Sequence, residues 1–402
     1  MYEFGKEEIA AITKVVESGN FMRYRGGEGG FTETFEKELC SKFNIKYALT
    51  VNSGTSALIC ALAAMGIGPG DEVLVPAYTW VASALAPLAV GAVPILVDID
   101  ESLTLDPNDI EKKITPYTKA IIPVHMINLP CDMDAIMKIA KKHNLLVVED
   151  ACQAVGVSYK GKRLGTIGDA GAYSFNVFKN ITCGEGGALL TNDEKTYVRS
   201  LIYHDAGSFT RNYASEVKEP FFPGVNYRVS EIQGAIMGEQ FKRIDMIIAQ
   251  LQKQRKIMAE IFAKTNQFTI VKHNSPADAV GLSIRFESPE ATLAFKEKHQ
   301  IAPLSESGRH IYTNWEPLLE KRSFNPKMNP FNWIQRKIEY TKDMCTKTLE
   351  IISCSANIPL PYKTEKEVLP TVRKYGQAFL PYSPLFQGLL AGKFHSGITF
   401  AS

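Results

Sequence analysis

Residues 172–187 read Ala-Tyr-Ser-Phe-Asn-Val-Phe-Lys-Asn-Ile-Thr-Cys-Gly-Glu-Gly-Gly. Lys179 is the only basic residue of this run, with aromatic residues before it and small ones after it. A surface lysine ordinarily has charged neighbours and points at water. A lysine among aromatics and glycines is a candidate for burial beside a ligand, where its amine deprotonates more easily and can form a Schiff base with a carbonyl. Structural lysines also occur in such runs, so the reading depends on what else the chain brings to the same place. The flanks 173–175 and 187–190 have strand composition, which puts Lys179 in a loop between two strands.

Upstream, residues 145–148 are Leu-Leu-Val-Val, and they lead into Glu149 and Asp150. A carboxylate at the end of a buried strand needs a cation or hydrogen-bond donors. A protonated pyridine nitrogen, a salt bridge and a helix N-cap all meet that need. Farther upstream, 47–51 reads as a buried strand and 56–65 as a helix, so Ser53, Gly54 and Thr55 fall at the helix start. Backbone N–H groups there lack intrahelical partners and suit a phosphate; a plain N-cap by Ser53 or Thr55 is the simpler alternative. Residues 72–76 form another strand, with Trp80 beyond its C-terminal end, where open α/β sheets place their sites. Trp80 there is a stacking plate for a planar ring, or a core or interface residue.

Between these points strands and helices alternate: strand 93–97, helix 107–113, strand 120–124, helix 133–143. Such alternation predicts an α/β fold, a mainly parallel sheet with helices on both faces. The pattern predicts helices over 7–18 and 31–43 at the start, and over 196–204 after the lysine loop. Residues 207–223 read as an irregular lid or subunit contact. Ser230 caps a helix that runs through Arg255 or beyond. From 256 the order changes to helix, short strands at 268–272 and 281–286, and a helix at 291–299. The expected division is a large domain over 1–255, a smaller α+β domain over 256–376 and an atypical tail over 377–402. Residues 381–394 look like a short piece of an aldo-keto reductase, too short to form a barrel.

Composition excludes several classes. The 402 residues are 45% hydrophobic and 22% charged, with 45 basic and 43 acidic side chains for a net charge of +2. That balance gives no footprint for nucleic acid or an anionic membrane surface. The 7 cysteines are scattered without metal-type spacing, so reduced thiols, a cytoplasmic location and no metal site are expected. No secretion signal is read at the start. The longest apolar run, near 80–96, is interrupted by Pro87, Gly91 and Pro94, so no membrane span is expected.

A hydroxyl-and-glycine cup, an acid at a strand end and a lysine before a glycine-rich turn are together what pyridoxal phosphate requires. Asn52-Ser-Gly-Thr-Ser-Ala-Leu58, Glu149-Asp-Ala-Cys-Gln153, Ser174-Phe-Asn-Val-Phe-Lys-Asn180 with Gly184-Glu-Gly-Gly187, and Asn226-Tyr-Arg-Val-Ser-Glu231 resemble the DegT–StrS family of sugar aminotransferases over roughly residues 1–375. The resemblance implies the type I fold of pyridoxal-phosphate enzymes, with a seven-stranded type of sheet. It implies that Lys179 holds the cofactor and moves the proton, that Asp150 pairs with the ring nitrogen, and that Gln153 lies near the ring hydroxyl. Trp80 would stack on the ring, and Ser53, Gly54, Thr55 and Ser174 would bind phosphate. Asn226 would reach the phosphate of a neighbouring subunit, making a homodimer with shared sites. The implied reaction moves an amino group from an amino acid, glutamate foremost, to a keto-sugar. The amino sugar would serve surface polysaccharide, lipopolysaccharide or antibiotic synthesis. Alternatives are a dehydratase or synthase of the same fold, or a catalytically idle regulator that binds the cofactor. Lys179 itself argues against the dehydratases, some of which carry histidine there.

For the sugar, Arg309-His-Ile-Tyr-Thr-Asn-Trp315 and Tyr340-Thr-Lys-Asp-Met-Cys345 resemble a branch acting on octulosonic acids of lipopolysaccharide. Arg23 and Arg25, in the glycine-rich stretch 21–30, and Arg309 and His310 are candidates to receive an anionic sugar. A flexible surface loop is the alternative for 21–30.

Overall fold

The computed structural model describes residues 4–24 and 29–360. Seven strands form the main sheet: β1 (Tyr47–Val51), β2 (Glu72–Pro76), β3 (Val93–Val97), β4 (Thr118–Ile121), β5 (Leu146–Asp150), β6 (Ala170–Ser174) and β7 (Gly187–Thr191). Their spatial order is β1-β7-β6-β5-β4-β2-β3. β7 runs antiparallel to both its neighbours, and the other pairings are parallel. Because β1 and β6 are each antiparallel to β7, six strands end along one edge. β2, β3, β6 and β7 are buried at every residue, as expected of strands covered on both faces.

Helices α1 (Lys6–Ser18), α2 (Phe31–Phe43), α3 (Gly54–Ala64), α4 (Ala82–Ala89), α5 (Pro107–Lys113), α6 (Met133–His143) and α7 (Glu194–His204) precede or alternate with these strands. α3 lies against β6 and β7, and α2 against β1. The alternation, and with it the α/β class, is therefore as the sequence predicts. The strand expected at 120–124 ends at Ile121, but Val124 still forms a parallel bridge with Asp150.

The long helix expected from Ser230 is two helices, α8 (Glu231–Phe241) and α9 (Ile244–Phe262). Ser230 does cap α8, and Gln233 returns a bond to its backbone in a capping box. At the break Arg243 donates to Glu8 of α1 (2.7 Å). Ile244 begins the next helix packed so close to Gly156 that an added Cβ would lie 2.5 Å from its Cγ1. These contacts are made by residues distant in sequence, so a helical periodicity does not reveal the break.

A second, three-stranded antiparallel sheet, β8 (Thr269–Ile270), β9 (Ser283–Arg285) and β10 (Ser355–Asn357), has its own core of Phe262, Phe268, Ile284, Phe286 and Phe295. α9 spans the expected boundary near 255: Ile244 to Leu251 belong to the main core, and Met258 and Phe262 to the second. The chain between the second and third strands returns to the first sheet. Tyr312, Trp315, Leu318, Ile338 and Tyr340 join the main core, and the Tyr340 hydroxyl donates to the carbonyl of Pro94 in β3. The tail 377–402 lies outside the described residues.

The N-terminal segment is tied to β1 through charge. Glu36 of α2 is buried, pairs with Arg23, and accepts from the Thr50 amide (2.6 Å) and hydroxyl (2.7 Å). Removing one partner of such a pair strands the other charge in the interior. Glu36→Ala is therefore expected to lower the unfolding free energy by about 3–5 kcal/mol; urea denaturation measures it, and a loss below 1 kcal/mol would mean that water reaches the pair.

Candidate active site

The ends of β1, β2, β4, β5 and β6 and the second sheet line a cavity of about 900 Å³. Ser53, Gly54, Thr55, Trp80, Asp150, Gln153, Ser174, Lys179 and His310 all line it. Eight of these are among the cofactor residues implied by the sequence, and they come from four separate strand ends.

The cup at the end of β1 is built by close packing. Ser53 is the N-cap of α3 and accepts from the Ser56 amide (3.0 Å). The Gly54 and Thr55 amides have no partner among the described residues. A Cβ on Gly54 would lie 2.6 Å from Cys152 Sγ and 2.8 Å from Ser174 Cβ, so glycine lets the helix start touch the end of β6. Gly187 sits equally close from the other side, its notional Cβ being 2.4 Å from the Ser53 carbonyl. Ser53 therefore does serve as a cap, and two donors beside it remain free; the two readings of this stretch are compatible.

Asp150 is 4% exposed. One carboxylate oxygen, Oδ2, accepts from Ser83 Oγ (2.7 Å) and the other from the Cys152 amide (3.2 Å). No cation pairs with it among the described residues, and it caps no helix. Ser83 is itself buried in α4 and bonded to Thr79 Oγ1 (2.8 Å). Sequence reading missed Ser83; the only signal is a lone hydroxyl in the apolar run Ala82-Ser-Ala-Leu-Ala-Pro87.

Glu149, next to Asp150, points to the opposite face of the strand. It is fully buried and accepts from the amides of Gly165 (2.9 Å), Ile167 (2.6 Å) and Gly168 (2.7 Å). Its fourth partner is His125 Nε2 at 3.0 Å. His125 Nδ1 accepts from the Cys131 amide (3.1 Å), so Nε2 carries the proton and donates to Glu149. Burial works against a charged imidazole, but the hydrogen bonds and charges of Cys131 and Glu149 outweigh it and raise the pKa of His125 above its ordinary value.

Lys179 lies in the β6–β7 loop, where its amide donates to the Asn176 carbonyl (3.0 Å). Its Nζ has no hydrogen-bond or ion-pair partner among the described residues. Gln153 Oε1 accepts from the Ile127 amide (3.2 Å), which leaves its NH2 as the free end. Ile127 and Asn128 both have left-handed backbones, φ 46° and 63°. A β-branched residue there costs about 1–3 kcal/mol. The segment is held by the Gln153 bonds and by Asn180 Nδ2 donating to Asn128 Oδ1 (2.8 Å). Trp80 is 39% exposed at the mouth, so it is no core residue.

The candidates for an anionic sugar are not brought together. Arg23 is spent on Glu36 and is absent from the lining. Arg25 lies outside the described residues. Arg309 is exposed at the rim, its guanidinium 5.7 Å from the Trp80 ring centre. Only His310 lines the cavity. Asn226 is exposed and does not line the pocket of its own chain; its Oδ1 accepts from the Arg228 amide (3.3 Å).

Gly54→Ala tests whether the cup depends on that packing. Forcing a methyl between α3 and β6 is expected to cost about 1–3 kcal/mol of stability in thermal or urea unfolding; an unchanged protein would show that the helix start has room to move.

Comparison with known proteins places the chain in a family. A family model described as the DegT/DnrJ/EryC1/StrS aminotransferase family matches residues 3–357. A GDP-perosamine synthase of Caulobacter vibrioides is 45% identical over 225 residues, which are 55% of this chain and 59% of that protein. The dTDP-3-amino-3,4,6-trideoxy-alpha-D-glucose transaminase of Streptomyces venezuelae is 41% identical over 245 residues, 60% of this chain and 62% of that protein. The chain thus spans about three fifths of the length of these curated relatives. The solved structure of NtdA from Bacillus subtilis with bound cofactor PMP superposes with a TM-score of 0.68 at 28% identity, covering 89% of this chain and 79% of that one. On this evidence the chain is a member of the DegT/DnrJ/EryC1/StrS aminotransferase family.

Proposed function

We propose that the protein is a pyridoxal-phosphate-dependent aminotransferase that carries an amino group from an amino acid, glutamate foremost, to a keto-sugar. The observation that carries the reading is Asp150, a buried carboxylate with no cation beside it among the described residues, in one cavity with the amine of Lys179, which has no partner among those residues either. An uncompensated buried charge is costly, and a ligand with a protonated ring nitrogen removes that cost.

Pyridoxal phosphate, when bound, supplies a ring that takes up negative charge from the carbon that loses its proton. The Gly54 and Thr55 amides, with the hydroxyls of Ser53, Thr55 and Ser174, would hold its phosphate at the positive end of α3. Asp150, held in place by the Ser83 hydroxyl and the Cys152 amide, would pair with the protonated ring nitrogen. The Gln153 NH2 would donate to the ring hydroxyl, and Trp80 would cover one face of the ring. Lys179 would bind the aldehyde carbon, and its freed amine would move the proton between the donor carbon and the cofactor carbon. A lysine here, rather than a histidine, favours transamination over dehydration.

The two relatives carry names of nucleotide-linked amino sugars, which supports a nucleotide-linked keto-sugar; we propose that the amino-sugar product serves surface polysaccharide, lipopolysaccharide or antibiotic synthesis in the cytoplasm. The octulosonate substrate suggested by residues 309–315 finds no support among them. The exposed Asn226 would complete the phosphate site of a second copy, so a homodimer is the working unit. We keep 1–255 as the first functional unit and 256–376 as the second, of which 312–340 pack into the core of the first and 361–376 lie outside the described residues.

The test is spectroscopic. Glutamate added to the pyridoxal-phosphate-loaded protein is expected to replace the absorption of lysine-bound cofactor with that of the pyridoxamine form. Lys179→Ala should fold, lack the lysine-bound absorption and lose turnover. A spectrum unchanged by every amino donor would favour the regulator. Ser83→Ala removes one donor from Asp150, worth about 1 kcal/mol, and should weaken cofactor retention about fivefold; fluorescence titration of the cofactor-free protein reads this, and equal affinity would remove Ser83 from the account.

A further inference from the structure

His310 reaches the cavity on a stapled segment. Ile311 bridges Tyr78, the Thr79 amide donates to the His310 carbonyl (2.9 Å), and the Tyr312 amide donates to that of Ala77 (3.1 Å). On the far side Trp315 Nε1 donates to the Arg309 carbonyl (2.8 Å). The imidazole is thus fixed beside Trp80, with ring centres 5.3 Å apart.

The protonation of the ring follows from one contact. His310 Nδ1 lies 3.0 Å from the Ser307 carbonyl oxygen. A carbonyl only accepts, so Nδ1 carries the hydrogen. Burial, with the charge of Lys179 adding to it, lowers the pKa of His310 from its ordinary value, against the pull of the Ser307 carbonyl. The ring is therefore neutral near pH 7. Nε2 then holds a lone pair, and it has no partner among the described residues.

We propose that His310 Nε2 is a hydrogen-bond acceptor for a hydroxyl of the sugar, selecting a neutral hydroxylated region of the substrate over an anionic group at that place. This rests on the aminotransferase reading for the presence of a sugar, and it reverses the expectation that His310 receives an anion. A lone pair attracts an O–H donor and repels a carboxylate oxygen. Of the candidate cations among the described residues, Arg23 is buried against Glu36 and Arg309 stays exposed beside the Trp80 ring. A site that hydrogen-bonds a substrate hydroxyl discriminates against its absence, because its own polar atom is then left unpaired.

Two variants separate recognition from a structural role. In His310→Asn the amide nitrogen can keep the bond to Ser307 while Nε2 is lost. In His310→Gln an amide group stands near the Nε2 position while the Ser307 bond is lost. The probes are GDP-perosamine and dTDP-3-amino-3,4,6-trideoxyglucose, the amino sugars in the relatives' names, each mixed with the pyridoxal-phosphate-loaded protein, with glutamate as the reference donor. For the sugar that the unmutated protein processes faster, His310→Asn should lower kcat/KM roughly tenfold more than it does for glutamate, mostly through KM, and His310→Gln should lower it less. Equal losses for sugar and glutamate, no loss in His310→Asn, or a greater loss in His310→Gln overturns the proposal. So does an unmutated protein that reacts with glutamate but with neither sugar. Failure to react with glutamate as well brings down the aminotransferase reading itself.

Discussion

Two adjacent acids at the end of β5 divide the labour of this structure. Glu149 turns to one face and is saturated: three backbone amides and the Nε2–H of His125 supply its donors. Asp150 turns to the other face and is left short, with one serine hydroxyl and one amide. Both are buried, so a similar desolvation cost bears on each. At Glu149 the protein compensates it internally and gains a fixed loop over 165–168. At Asp150 the aminotransferase proposal leaves the compensation to the protonated ring nitrogen of the cofactor, and the cavity lies in front of that carboxylate.

The arrangement follows from the sheet. β1, β5 and β6 end on one edge, so Ser53, Asp150 and Ser174 meet there although about 120 residues separate the first from the last. Glycine tightens the convergence at two points. Gly54 allows α3 to begin against β6, and Gly187 allows β7 to pass beneath Ser53. The second sheet closes the cavity from the other side with Val280, Gly281 and Leu282, and the returning chain adds His310.

The sequence made the local parts readable because each has its own chemistry. An apolar strand ending in an acid, a hydroxyl–glycine helix start and a lysine among glycines are all short-range patterns. β1, β2, β3, α5 and α6 match their expected bounds for the same reason. What stayed hidden depends on partners far away in the chain. Nothing near Arg23 announces that Glu36 consumes it. Nothing near Ser83 announces Asp150, 67 positions on. The break between α8 and α9 depends on Glu8 and Gly156, and the orientation of His310 on a carbonyl that only the folded loop presents.

The central claim is that Asp150 and Lys179 take hold of opposite ends of one pyridoxal phosphate. A crystal structure of the cofactor-loaded protein measures it directly. The account predicts a covalent bond from Lys179 Nζ to the aldehyde carbon, the ring nitrogen roughly 2.6–3.0 Å from an Asp150 oxygen, and the phosphate on the Gly54 and Thr55 amides. A ring nitrogen out of hydrogen-bond reach of Asp150, or a phosphate bound away from the start of α3, would contradict it.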